Sequence, residues 1–218
     1  GAPGTGKTLM ALQFAYNGVK QFDENGVFIT TEESLDNLRE HSKQIGMDLG
    51  KYEKSGKLFL FEMDLATLKG GMASIKGLLD LIKKKKIKRF SLDSLIMFEY
   101  LYQSYRNDDV EFRRQILLFL NKIRAQGVTS MVISERKTVD FDKPHFTEMD
   151  FMFDGFVVIS RIRKGSYFER VLTVAKMRGV DHSLDIHPIK IGKGGVTILT
   201  DQTPFSLADK EDDEVGLG

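Results

Sequence analysis

Between residues 7 and 134 the chain alternates stretches with apolar residues at helical spacing and short, near-continuous apolar runs. Lys7 to Phe22 reads as a helix, its first half being Leu9-Met10-Ala11-Leu12-Gln13-Phe14-Ala15-Tyr16. Gly26-Val27-Phe28-Ile29-Thr30-Thr31 reads as a strand, and its lack of a polar face suits burial on both sides. Ser34 is placed to cap a second helix that begins Leu35-Asp36-Asn37-Leu38-Arg39. Leu58-Phe59-Leu60-Phe61 is a short buried strand. Ala73 to Lys85 is an amphipathic helix whose end, Lys83 to Lys86, suits the negative end of the helix dipole. Next come a strand from Ile87 to Asp93, a long helix from Val110 to Gln126 closed by Gly127, and a strand from Val128 to Ser134.

Buried strands alternating with helices predict an α/β fold, a mostly parallel sheet with helices on both faces. After about Phe153 the pattern changes. Phe156-Val157-Val158-Ile159 and Arg170 to Ala175 flank Lys164-Gly165-Ser166, which reads as a hairpin. Ile186 to Ile191 and Val196 to Leu199, joined across Gly192 to Gly195, read as another. The sheet is therefore expected to continue with antiparallel strands at its C-terminal end. Residues 1–205 are read as a single domain and 206–218 as an acidic tail, with Asp209 to Glu214 too polar to join a core and expected to be disordered.

A chain of 218 residues is ample for a buried core. Its 32 basic and 31 acidic residues nearly cancel, so no global field draws it to nucleic acid or to a membrane. No apolar run approaches the length of about 20 residues needed to span a bilayer. The absence of cysteine excludes disulfides and thiolate metal sites and fits a cytoplasmic protein.

The chemistry is densest at the start. Gly1-Ala2-Pro3-Gly4-Thr5-Gly6-Lys7-Thr8 is a complete G-x-x-x-x-G-K-T loop. Its glycines let successive N–H groups point at one anion, Lys7 reaches phosphates as a point charge, and the Thr8 hydroxyl suits Mg²⁺. Ala2, Pro3, Gly4, Thr5, Gly6, Lys7, Thr8 and Leu9 are thus the candidate phosphate-binding residues, with a helix N-terminus behind them. Such a loop ordinarily follows a buried strand, so the numbering is read as starting inside a longer protein. Asp93, closing its strand, is the candidate second Mg²⁺ residue. An Asp there is common in itself, and its weight comes from following the loop. Glu32 and Glu33, in Thr30-Thr31-Glu32-Glu33-Ser34, stand where parallel sheets bind ligands. A carboxylate there suits either activation of a water or the N-terminal dipole of the next helix. Ser134-Glu135 ends another strand, where a polar pair suits either a sensor of the terminal phosphate or a plain loop entry.

Together these stretches resemble the RecA-type P-loop NTPase core and, within it, the KaiC-like family. The similarity covers essentially the whole chain: GAPGTGKT, TTEES, RFSLDS, VISER and finally Lys176-Met177-Arg178-Gly179-Val180-Asp181-His182, which resembles the K-x-R-G-x-x-H motif of KaiC-like domains. The resemblance implies Mg²⁺-dependent ATP hydrolysis in an oligomeric ring, a hexamer above all. It gives Glu32 the role of water-activating base with Glu33 beside it, and it points Lys176, Arg178 and His182 at ATP bound by the neighbouring subunit. It further implies a regulatory or macromolecule-handling role in a single-domain member. A recombinase that binds DNA, and a nucleotide switch with little turnover, are the alternatives. The regions 98–109 and 138–150, where a recombinase would hold DNA, are acidic and aromatic with no basic groove, so a protein partner stays open and nucleic acid is not favoured.

Overall fold

Helix α1 (Lys7–Phe22) turns Ala11, Leu12, Ala15, Tyr16 and Val19 inward at helical spacing in a computed structural model that describes residues 1–63, 72–95, 109–135 and 148–204. Strand β1 (Asn25–Thr30) follows, with Val27, Phe28, Ile29 and Thr30 all buried. Helix α2 (Leu35–Gln44) starts where expected, the Ser34 hydroxyl accepting the Asn37 N–H at 3.3 Å. Helix α3 (Leu49–Lys54), capped by Asp48, was not foreseen from the sequence. Six residues are too few to show a period. Strand β2 (Leu58–Glu62), helix α4 (Met72–Lys84), strand β3 (Ile87–Asp93), helix α5 (Asp109–Arg124) and strand β4 (Thr129–Val132) then alternate, close to the expected bounds.

The four strands pair in parallel in the order β2-β1-β3-β4. Side chains alternate across them, and this alternation decides which helix each face receives. Phe28 joins Leu12, Tyr16, Leu38, Met47 and Leu49 in one apolar cluster, so α1 to α3 cover one face. Ser91 points the same way, donating to the Ala11 carbonyl of α1 at 2.8 Å. Its neighbour Phe90 points to the other face, where it meets Phe119 of α5 edge-on, ring centres 5.9 Å apart. The predicted mostly parallel α/β sheet with helices on both faces is present.

These elements form one of two units, residues 8–134 with 193–195. The other holds residues 1–7, 135–192 and the chain from 196 onward. It contains a 3-10 turn (Glu148–Met152) and strands β5 (Gly155–Lys164), β6 (Tyr167–Met177), β7 (His187–Gly192) and β8 (Gly195–Ile198). Both hairpins exist where predicted, the first turning at Gly165 with φ +54°. They do not extend the parallel sheet, however. The strands make an antiparallel sheet of their own, in sequence order, because each finds its hydrogen-bonding partner in the next strand along the chain. The acidic tail, and most of the regions 98–109 and 138–150, lie outside the described residues. Among the described residues no helix is long and apolar enough to cross a membrane.

Phe90 is fully buried and locks α5 to the sheet. Replacing it with alanine is expected to cost about 3–5 kcal/mol, read as a lower urea midpoint at unchanged slope. An unchanged midpoint would remove Phe90 from the core.

Candidate active site

Residues Gly1–Gly6 are an irregular loop that passes into α1 at Lys7. Gly4 and Gly6 sit at φ +73° and +105°, which residues with a Cβ rarely adopt, and a Cβ at Gly6 would stand 2.7 Å from Ile191 Cδ1. The loop closes on the Ala2 carbonyl, which accepts from the Thr5 hydroxyl and from the Lys7 ammonium, both at 2.9 Å. Lys7 Nζ also lies 2.9 Å from Glu135 Oε1, and its side chain is only 10% exposed. Thr8 and Leu9, half-buried, follow in the first turn of α1. A helix N-terminus leaves backbone N–H groups without helical partners and carries partial positive charge. Two glycines in left-handed conformations, an ammonium drawn into the loop and that helix end together fit a polyphosphate.

The other acidic and hydroxyl candidates lie at the C-terminal edge of the parallel sheet. Register puts Thr30 of β1 opposite Asp93 of β3, so the turn after β1 starts beside that carboxylate. Asp93 is 2% exposed, and the Asp93–Ser94 peptide is cis. The Thr30 hydroxyl knots the turn, accepting the Glu32 and Glu33 N–H groups at 3.3 and 3.1 Å and donating to the Glu33 carbonyl at 3.0 Å. The two acids then part. Glu32 Oε1 accepts the Ser94 hydroxyl at 2.5 Å, while Glu33 Oε1 lies 2.8 Å from His41 Nδ1 on α2. Glu32 is turned toward the end of β3, and Glu33 toward a helix.

In the second unit Lys176 and Arg178 converge on one stretch of backbone. Lys176 Nζ donates to the Asp150 and Phe153 carbonyls at 2.9 and 2.7 Å, and Arg178 donates to the Phe151 carbonyl at 2.9 Å. His182 lies in an exposed loop, its Nδ1 3.0 Å from the Ser183 carbonyl. Ser134 follows β4 by two residues and directly precedes Glu135. Two neighbours of the candidate residues, Ser94 and His41, had no role assigned from the sequence, and Glu135, read there only as one of a polar pair with Ser134, was not foreseen as the ion partner of Lys7. Ser94 was signalled only by standing next to Asp93. His41 and the Glu135 pairing had no local signal, since they need the fold to reach their partners.

A complete G-x-x-x-x-G-K-T loop that opens a helix, and a parallel sheet with a strand-ending acid at the same edge as the Glu32 turn, are the features of a P-loop ATPase domain of RecA type. A family model described as "ATPase: KaiC" matches residues 1–203. The chain belongs to the KaiC ATPase family. It is similar to the circadian clock oscillator protein KaiC of Synechococcus elongatus, 30% identical over 206 residues, and to that of a Nostoc species, 32% identical over 206 residues. It is also 32% identical over 209 residues to circadian clock oscillator protein KaiC 1 of a Synechocystis species. In each case the match covers 91% of this chain and 39% of the relative, so the chain spans about two fifths of their length.

Glu135 holds the ammonium of Lys7, the candidate phosphate cation, so Glu135→Gln is expected to tighten nucleotide binding. A partly exposed pair worth about 1 kcal/mol corresponds to about fivefold in Kd. Titration calorimetry of both proteins with ATP analogues checks it; weaker binding in the variant would mean that Glu135 helps hold the ligand.

Proposed function

We propose that the chain binds ATP with Mg²⁺ and hydrolyses it, as an oligomer with a regulatory or macromolecule-handling role. The observation that carries this reading is the closed G-x-x-x-x-G-K-T loop, its lysine turned into the loop, in a chain of an ATPase family. Ala2 to Leu9 supply backbone N–H groups and the Lys7 charge for the phosphates, while Thr8 and Asp93 hold Mg²⁺, for which a hydroxyl and a carboxylate are suitable oxygen donors. Bound Mg²⁺ neutralises phosphate charge. Ser134 contacts the terminal phosphate. Glu32 takes the proton of the attacking water as the bond from the γ-phosphorus to the bridging oxygen breaks, leaving ADP and phosphate. Glu33, engaged by His41, acts beside it. The timekeeping in the relatives' name forms no part of this proposal.

Lys7→Ala is expected to abolish hydrolysis. Glu32→Gln is expected to keep nucleotide affinity while slowing single turnover by roughly 10²–10⁴-fold. Normal turnover in Lys7→Ala would take the loop out of the active site; normal turnover in Glu32→Gln would take the base away from Glu32.

Lys176, Arg178 and His182 serve ATP on the neighbouring subunit of a hexamer in this proposal, supported by the K-x-R-G-x-x-H motif. Their present backbone contacts are then exchanged for phosphate contacts on assembly. A cation acting across a boundary predicts complementation. Subunits with Arg178→Ala keep an intact loop, and those with Lys7→Ala keep an intact cation, so the mixture should regain part of the lost activity. A mixture that assembles yet stays inactive would place these residues in cis or outside catalysis.

A further inference from the structure

We propose that Ser94 is a positioning residue that aims the Glu32 carboxylate. The proposal deepens the reading of Glu32 as the base and rests on it. Glu32 is an exposed residue on a turn, and a glutamate loses up to about 2 kcal/mol of rotamer entropy when fixed, so an unanchored Glu32 spends much of its time pointing elsewhere. Ser94 supplies the anchor. Its hydroxyl donates to Oε1 at 2.5 Å, within the short range of hydrogen bonds to a charged oxygen. Among the described residues Oε2 takes no protein hydrogen bond, which leaves one carboxylate oxygen held and the other open to water.

The anchor is itself fixed by the turn it serves. Ser94 is fully buried, and its N–H donates to the Thr31 hydroxyl at 3.0 Å. That hydroxyl lies 3.3 and 3.4 Å from the Asp93 and Ser94 carbonyls, and the Thr31 N–H donates to the Asp93 carbonyl at 2.6 Å. Thr31 therefore braces Ser94 from the residue directly before Glu32, and the three close a ring across the ends of β1 and β3. The ring sets Ser94 apart from a serine that merely fills space: its backbone is held by Thr31 while its hydroxyl is spent on Glu32. The neighbouring acid lacks this arrangement, since Glu33 meets His41 on a different element.

Single-turnover ATP hydrolysis and nucleotide affinity are to be measured for the full chain and for Ser94→Ala, Ser94→Thr, Glu32→Gln and the Glu32→Gln/Ser94→Ala double variant. Losing a hydrogen bond to a charged group corresponds to about 10- to 100-fold, expected in the rate of Ser94→Ala at unchanged affinity. Ser94→Thr, which keeps the hydroxyl, should recover most of that rate. The double variant should be no slower than Glu32→Gln, because Ser94 acts through the carboxylate already removed. If Ser94→Ala does not fold, Ser94→Cys keeps the volume with a weak donor and is read in the same way. A wild-type rate in Ser94→Ala, or a further full loss in the double variant, overturns the positioning role. A wild-type rate in Glu32→Gln is a different failure: it removes the base and the positioning role with it.

Discussion

The parallel pairing of β1 with β3 puts Thr30 opposite Asp93, and most of the candidate chemistry depends on that register. Residues more than 60 apart in sequence meet there only because both strands end at the same sheet edge. Slipping the pair by one residue would exchange the faces, sending Phe90 toward α1 and Ser91 toward α5. The two strands resist this because each is buried on both sides by residues that differ in size and polarity. The large apolar Phe28 and Phe90 belong to opposite faces, and Ser91 needs the Ala11 carbonyl on its own. Register thus follows from packing, and the positions of Asp93, Ser94 and Glu32 follow from register.

A second regularity concerns positive charge. The cations named in the motifs are all engaged: Lys7 by a loop carbonyl and a carboxylate, Lys176 and Arg178 by backbone carbonyls. A buried or half-buried ammonium without a polar partner is costly, and these contacts supply one. Each such contact is weaker for a cation than a polyphosphate would be, whose charge is greater and whose oxygens are more numerous. The contacts can therefore hold the side chains in place without keeping them from a stronger anion.

Much of this was legible in the sequence, and the failures have physical causes. Ile87–Asp93 was read to the residue, because a lysine cluster marks one end of the segment and an acid the other. The hairpin strands were read too short: β5 runs on to Lys164 and β6 begins at Tyr167, through Arg161, Arg163 and Glu169, where backbone pairing continues without an apolar signal. Whether such hairpin strands also pair with the parallel strands is not encoded in any local pattern, and among the described residues they pair only with one another. The loop glycines and Lys7 were legible as a candidate site because a phosphate-binding motif constrains consecutive residues. From the local pattern Glu32 and Glu33 were not separable, and only the family resemblance put Glu32 first; what distinguishes them in the fold is Ser94, 62 positions from Glu32, and a histidine on the next helix.

The hydrogen bond from Ser91 to Ala11 has a mechanical side. It ties α1 to β3 one helical turn beyond the phosphate loop and two residues before Asp93. Apolar contacts alone would let a helix creep along its axis over a greasy sheet at little cost. A buried polar tie does not, because any sliding strands a hydroxyl and a carbonyl away from water. The helix is pinned like a bar at a single rivet, and the Thr8 end and the Asp93 end keep a fixed spacing whatever the outer loops do. The two oxygen donors proposed to share one small ion are in this way gauged by a serine that touches neither of them.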